Sequence, residues 1–276
     1  MKTLLESDSL KYVNPFVHDE LYTRIQQKGI QYVVNQVHSH ELRLIADSSD
    51  PRIAMHHKAL DSVANILGNM HRAVLTGGFG VEATILSRYP ETVPQFQREH
   101  YDVNLGIAHS QFPEIVQRAS LVQYYPFARL AMWHLIDKTG QKVGKKDIYY
   151  PLTWEDVTTI GASKRSRRVF GLRRKDRHIR LIHIPNNTGE IYPHESLTDY
   201  VELYLHQYIG GQLKSNQDVQ ISCPLYFSGE TFTTRSGQKL KVVNPRYLLA
   251  LKEKKAKSRH KIIHQHDLER LKSLQL

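Results

Sequence analysis

The chain has 276 residues, 40% hydrophobic and 24% charged, a balance typical of a globular protein with one large domain or two ordinary ones. No stretch is apolar for long enough to span a bilayer, and Glu6 and Asp8 interrupt any signal-peptide core, so we expect a cytoplasmic protein with no membrane partner. The single cysteine, Cys223, excludes an internal disulfide.

The excess of positive charge, 38 lysines and arginines against 27 acids, gathers in residues 164–180 and 252–261. Runs of this kind most often form solvated faces. They also suit an anionic partner, so residues 164–180 are a possible binding segment for a nucleic acid or an acidic protein.

The apolar spacing predicts a helical lead-in over residues 1–70, with helical periodicity from about 19 to 71. Residues 73–78 form a short buried strand that runs into a glycine turn, and residues 81–88 form an amphipathic helix. Residues 101–107 alternate polar with apolar side chains, which is the period of a strand. We expect residues 71–160 to form the core domain.

The later elements are predicted from alternation, turn residues and helical spacing. They are a hairpin of 128–136 and 141–150, a strand at 177–184, a turn at 185–189, a helix at 196–208, strands within 226–243, and a helix at 245–255. Residues 161–276 would then supply a basic insertion, with C-terminal strands and helices completing or flanking the core.

One face of the strand near residue 102 carries the polar groups of a candidate site. Side chains on a strand alternate faces, so Arg98, His100, Asp102 and Asn104 lie on the same side and converge on the glycine turn. Glycines at this turn let backbone amides approach a phosphate, and the following helix offers its positive N-terminal end to the same anion. The pattern predicts a phosphate cradle beside an aspartate.

A carboxylate beside bound phosphates is a common site for Mg²⁺, and Mn²⁺ would also fit. Asp147, near the end of the returning hairpin strand, is the best sequence candidate for a further carboxylate in a two-metal arrangement. Glu82, in the first turn of the helix, could face the metal, but it is better explained as an acid that favours a helix N-terminus.

Four motifs occur in a suggestive order: G-G-F-G-V-E-A at 77–83, R-E-H-Y-D-V-N at 98–104, K-D-I-Y-Y-P at 146–151 and V-N-P-R-Y-L-L-A-L-K at 243–252. In these motifs the chain resembles the lincosamide and aminoglycoside nucleotidyltransferases of the polymerase-β-like superfamily. The resemblance implies an α+β fold whose core is a small mixed sheet with helices. It also implies transfer of a nucleoside monophosphate from an NTP to a hydroxyl of a small molecule, while the basic segment at 164–180 would also allow a nucleic acid or protein as the acceptor.

Carried over residue by residue, the resemblance implies two sets of site residues. The metal-binding and catalytic set is Asp102, Asn104 and Asp147. The nucleotide-binding set is Gly77, Gly78, Phe79, Arg98, His100 and Lys252.

Asn104 departs from the family pattern, which has an aspartate at this position. The amide keeps an oxygen ligand but removes a charge, and such a charge about 4 Å from a cation interacts by about 4 kcal/mol per unit pair at an effective dielectric near 20. Two alternatives therefore stay open: a catalytically weakened or inactive nucleotide-binding relative, and a basic nucleic-acid-binding protein in which the glycine turn is only structural.

Overall fold

The computed structural model describes residues 12–29, 32–37, 42–68, 70–90, 96–140, 142–162, 179–184, 200–209, 212–214, 221–259 and 262–274. Residues 164–178 of the predicted basic binding segment (164–180) and the predicted turn at 185–189 lie outside these ranges. The protein is α+β with a mixed sheet, as the sequence predicted. No helix within the described ranges is both long and apolar enough to cross a membrane.

The helices are α1 (Glu20–Gln27), α2 (Pro51–Leu67), α3 (Gly77–Arg88), α4 (Phe112–Ser120), α5 (Trp154–Ala162), α6 (Cys223–Tyr226), α7 (Pro245–Arg259) and α8 (Ile262–Lys272). The strands are β1 (Tyr32–Val37), β2 (Ala73–Thr76), β3 (Val103–Ala108), β4 (Tyr124–Ile136), β5 (Lys142–Pro151), β6 (Ile179–His183), β7 (Tyr200–Ile209), β8 (Gln212–Lys214), β9 (Ile221–Ser222), β10 (Thr231–Thr233) and β11 (Lys239–Lys241).

The chain divides into two compact units, each assembled from two separate stretches. The first unit comprises Met1–Ser39 and His109–Glu195, and the second comprises His40–Ala108 and Ser196–Leu276. The borders therefore fall after residues 39, 108 and 195, whereas the sequence analysis placed them after 70 and 160.

The first unit is organised on antiparallel strands in the order β1-β5-β4-β6. The predicted hairpin is confirmed as β4 and β5, and Asp137 stabilises its turn by accepting a hydrogen bond from the backbone N–H of Thr139 at 2.8 Å. The buried Tyr22 of α1 joins the helix to the sheet, since its hydroxyl lies 2.8 Å from the carbonyl of Pro126 and 2.9 Å from that of Leu152.

The second unit carries the mixed part of the sheet. Strand β3 is central: it pairs antiparallel with β2 and parallel with β7. The residues of β2 and β3 are all buried, which is typical of strands covered on both faces. Helices α3, α7 and α8 contact one another in this unit, and β10 and β11 form a separate antiparallel pair around the predicted turn.

Two helix predictions are wrong. Residues 32–37 form β1 within the predicted helical lead-in, and residues 200–209 form β7 where a helix was expected. In β7, side chains are buried on both faces, from Tyr200 and Glu202 on one to Val201 and Leu203 on the other. A strand that is buried on both faces has apolar residues at some helical spacings by chance. That periodicity led to the wrong prediction of a helix at 196–208.

Candidate functional site

The turn that joins β2 to α3 has the backbone form that the glycines predicted. Gly77 has φ +71°, in the left-handed region that favours glycine, and α3 begins at this residue, four positions before the predicted start. Thr76 precedes the helix in an extended conformation, and its side chain does not cap the helix. The first amides of α3 have no partner within the helix itself, as at every helix N-terminus.

Polar side chains from residues 98–104 pack directly on this turn. A methyl group at Gly77 would lie 2.8 Å from Nδ2 of Asn104. One at Gly78 would lie 2.7 Å from Nδ1 of His100 and would also overlap the guanidinium of Arg98. Both glycines are therefore required by the close approach of these side chains.

We expect Gly78→Ala to lower the free energy of unfolding by about 1–3 kcal/mol, the usual cost of overpacking, because the two crowded side chains are held by buried partners. Gly80→Ala in the same helix is the matched control. Its methyl group would lie 3.2 Å from the carbonyl of Leu75, and alanine's helical preference over glycine offsets that contact by up to about 1 kcal/mol. Urea unfolding measures the stability of both variants. Equal stability of Gly78→Ala and Gly80→Ala would contradict the expected cost of overpacking at Gly78.

Three polar residues form a row across β2, β3 and β7. Thr76 pairs with Asn104 across the antiparallel strands, and Asn104 is in register with Glu202 across the parallel ones. Residues in register share a face of the sheet, and neighbouring strands lie about 4.7–4.9 Å apart. All three are buried, and the Glu202 carboxylate accepts a hydrogen bond from the hydroxyl of Tyr204 at 3.2 Å.

Two atoms in this row have unmet hydrogen-bonding capacity. Oδ1 of Asn104 and Oγ1 of Thr76 are buried and have no hydrogen-bond partner among the described residues. The two residues are 5% and 1% exposed, respectively. A buried oxygen without a partner is costly, so each such group in a native site calls for an explanation, and an absent ion or ligand is one.

The predicted acids are distributed over both units. Asp102 immediately precedes β3 in the second unit and is half-buried. Asp147 lies on β5 in the first unit, fully buried, with its Oδ1 3.5 Å from Nη1 of Arg129. The pairing of Asp102 with Asp147 stays a prediction. Within the unit that contains Asp102, the acid in register with Asn104 is Glu202.

The polar residues on or next to these strands carry oxygen donors: the hydroxyl of Thr76, the amide of Asn104, and the carboxylates of Glu202 and Asp102. Among the residues that the structure describes, no group of three or more His, Cys, Asp or Glu side chains is placed to hold a metal ion. Asp102 and Glu202 supply only two such side chains, and Asn104 stands between their positions. Oxygen donors of this kind suit Mg²⁺, which usually takes one or two carboxylates and completes its shell with water and phosphate.

A buried ion-pair network holds Arg98, one of the side chains that pack on the turn, in place. Asp267 of α8 binds Arg98 through two hydrogen bonds of 2.8 and 3.0 Å, and it accepts a third from Lys252 of α7 at 2.5 Å. These three side chains are at most 5% exposed. Burial alone would raise the pKa of Asp267, but the charge of Lys252 and the contacts of Arg98 outweigh it and hold that pKa well below its usual range.

Glu82 belongs to the same network rather than acting only as a helix-terminal charge. Its carboxylate accepts hydrogen bonds of 2.6 and 2.9 Å from Arg270 of α8, and it lies 3.4 Å from Nε2 of His100. Burial would raise the pKa of Glu82, but the hydrogen bonds from His100 and Arg270 lower it to about 2. Glu82 is therefore ionised and neutralises Arg270.

Two histidines fill the apolar side of the turn. The ring of His100 stacks on Phe79 with a centroid distance of 4.4 Å, and the His100 backbone N–H donates to Nε2 of His56 at 3.1 Å. Burial lowers the pKa of His56 to about 3 and that of His100 to about 4. Both rings are therefore neutral near pH 7.

The structure thus gathers the predicted nucleotide-binding residues but buries several of them. Arg98, His100, Phe79 and Lys252 are each at most 5% exposed, and the two cations bind Asp267. Their contact with a nucleotide stays a prediction. In this arrangement Arg98 and His100 pack against Gly78, and Asn104 packs against Gly77.

Sequence reasoning missed Glu202, Asp267 and Arg270. The signal for Glu202 was present: residues 200–206 alternate Tyr, Glu, Tyr and His with Val, Leu and Leu, which is the period of a strand. Asp267 and Arg270 lie three residues apart in a helix that the analysis did not predict, and no local pattern ties them to Arg98 or Glu82.

The comparisons with known proteins add no relative. No family model matches the chain, and no curated protein or solved structure matches it either.

Proposed function

We propose that the protein is a metal-dependent nucleotidyltransferase with a polymerase-β-like core, which transfers a nucleoside monophosphate from an NTP to a hydroxyl acceptor. The observation that carries the proposal is the pair of buried oxygens of Asn104 and Thr76, which have no hydrogen-bond partner among the described residues; Glu202 is in register with Asn104, and Asp102 comes two residues before it. The motif order of the sequence supports it. The buried network of Asp267 and Glu82 holds the turn rigid.

Each residue has a role in this proposal. The amides at the start of α3, with Gly77 and Gly78, bind phosphate oxygens. Asp102, Glu202 and the Asn104 amide would hold Mg²⁺, which supplies charge neutralisation at the phosphates when bound. Arg98 and Lys252 position the turn through their ion pairs with Asp267 and add positive charge beside the phosphate site.

The transfer balances as a single displacement. The acceptor oxygen forms a bond to the α-phosphorus of the NTP, and the bond from that phosphorus to the oxygen bridging to the β-phosphate breaks. Pyrophosphate leaves with the bonding electron pair. The proton of the acceptor hydroxyl passes to a carboxylate, and the half-buried Asp102 is the group we assign to receive it.

Asn104 favours a second candidate function, nucleotide binding without turnover. The amide removes one negative charge from the site, and a charge of this kind contributes about 4 kcal/mol to holding a cation at about 4 Å when the effective dielectric is near 20. A weakened metal site would leave the phosphate cradle intact and slow the chemical step.

Incubation with each labelled NTP and Mg²⁺ or Mn²⁺ tests both functions, with pyrophosphate release as one measurement and equilibrium NTP binding as the other. We expect metal-dependent release from the wild-type protein and none from Asp102→Ala. Asn104→Asp should raise the rate by restoring the missing charge.

The two readouts separate the outcomes. Binding of NTP without release in both wild type and Asn104→Asp would establish the non-catalytic function. Absence of NTP binding by the wild-type protein would refute both proposed functions, provided that Asp102→Ala and the wild type are equally stable to urea.

A further inference from the structure

The β4–β5 hairpin of the first unit exposes large apolar side chains that no fold requirement explains. Strand β4 pairs with β6 only over residues 124–128, so among the described residues its second half pairs with β5 alone. In that half the exposed apolar residues are Leu130 (48% exposed), Met132 (42%), Trp133 (53%) and Ile136 (60%). Side chains alternate along a strand, so Trp133 lies on the opposite face from Met132, and large apolar side chains are exposed on both faces of the hairpin.

Positive charges outnumber negative ones in the same hairpin. Residues 129–147 contain Arg129 and four lysines, at positions 138, 142, 145 and 146, against the two acids Asp137 and Asp147. Asp137 stabilises the turn through Thr139, and Asp147 is buried beside Arg129. The sequence of the hairpin is therefore basic, and Lys138 is exposed while Lys146 is half-buried.

The register interleaves these lysines with the exposed rings and apolar chains. Trp133 lies directly opposite Lys146, His134 opposite Lys145, and Ile136 opposite Lys142. Directly opposite residues share a face of the sheet, so the cation of Lys146 lies on the same face as the exposed ring of Trp133.

We propose that the β4–β5 hairpin binds a single-stranded polynucleotide, with a base stacked on Trp133 and a phosphate held by Lys146. Aromatic side chains beside a positive track are the combination that holds single strands without reading their sequence, because every base has a flat face. The surface lies outside the glycine-turn site and does not depend on the nucleotidyltransferase proposal.

Two other occupants fit the same surface less well. A second copy of this chain would bring like charges together, since the hairpin and the whole protein, at +11, are both basic. A membrane-inserting hairpin would have to bury Lys146, which lies opposite Trp133, at a high cost in desolvation.

The test measures binding of the full-length protein to short fluorescein-labelled oligo(U) and oligo(dT), with a duplex of equal length as comparison, by fluorescence anisotropy at several salt concentrations. We expect both single strands to bind more tightly than the duplex. Trp133→Leu keeps an apolar side chain but removes the ring, and should weaken binding about tenfold, as loss of one base stack does. Trp133→Phe should recover most of the affinity.

A second comparison tests the contribution of charge. It sets Lys146→Ala against Lys28→Ala, which removes the same charge at the exposed residue that follows α1. Loss of one phosphate contact should reduce the slope of log affinity against log salt by about 0.7, whereas the control should leave the slope unchanged. A preference of oligo(U) over oligo(dT) would identify RNA as the natural partner, and the reverse would identify DNA.

Any of four results would overturn the proposal. They are wild-type affinity in Trp133→Leu, equal binding of duplex and single strand, preferential binding to phosphatidylserine vesicles over oligonucleotides, and self-association in sedimentation that Trp133→Leu abolishes.

Discussion

Asp267→Ala should lower the free energy of unfolding by about 3–5 kcal/mol, because removing one partner of a buried ion pair leaves the others uncompensated. Here the single substitution removes the carboxylate that neutralises two buried cations, Arg98 and Lys252, whose side chains are 5% and 3% exposed. Urea unfolding followed by circular dichroism measures the loss.

Glu269→Ala is the matched control for this prediction. It makes the same change of charge in the same helix. Glu269 is exposed, however, and among the described residues its carboxylate accepts a hydrogen bond only from the side chain of Gln265. A change within about 0.5 kcal/mol is expected there. A loss below about 1 kcal/mol in Asp267→Ala would show instead that water reaches the two cations once the carboxylate is gone.

Glu202→Gln should slow metal-dependent pyrophosphate release by about 100-fold, since it removes one of the two carboxylate charges that we assign to the site. An interaction of about 4 kcal/mol at an effective dielectric near 20, reduced by desolvation, corresponds to a factor of this size. The variant should also need more Mg²⁺ for half-maximal rate, whereas its affinity for NTP without metal should stay unchanged.

Asp147→Asn is the comparison that decides which acid completes the site. We expect less than a tenfold effect on turnover, because Asn104 is in register with Glu202 and Asp147 lies beside Arg129. The urea stability of both variants must be measured, since each alters a buried carboxylate. If Asp147→Asn abolishes turnover and Glu202→Gln does not, the metal set predicted from the sequence is the correct one.

Mn²⁺ binding gives a measure that does not depend on turnover. Titration calorimetry with a non-hydrolysable NTP analogue should show weaker Mn²⁺ binding in Glu202→Gln than in Asp147→Asn.

The glycine turn and the hairpin could be predicted because their signals are local. A strand followed by Gly77 and Gly78, and the D-K-T-G turn at 137–140, are fixed by residues next to one another in the chain. Both elements occur where the sequence analysis placed them, with boundaries shifted by a few residues.

The partners of that turn could not be predicted, because they depend on pairing over long separations. Strand β7 is parallel to β3 although about a hundred residues separate them, and a helix assignment for residues 196–208 hid the place of Glu202. The same holds for Asp267, whose bonds to Arg98 span 169 positions in the chain. Local patterns carry no information on such contacts.

The separation between Arg98 and Asp267 also constrains how the protein is made. While the chain emerges from the ribosome, Arg98 is synthesised long before the carboxylate that neutralises it, and Glu82 likewise precedes Arg270 by 188 positions. Until α8 has left the exit tunnel, the glycine turn carries unmatched charges and cannot be buried at low cost. The second unit should therefore acquire protease resistance only after its last helix is translated.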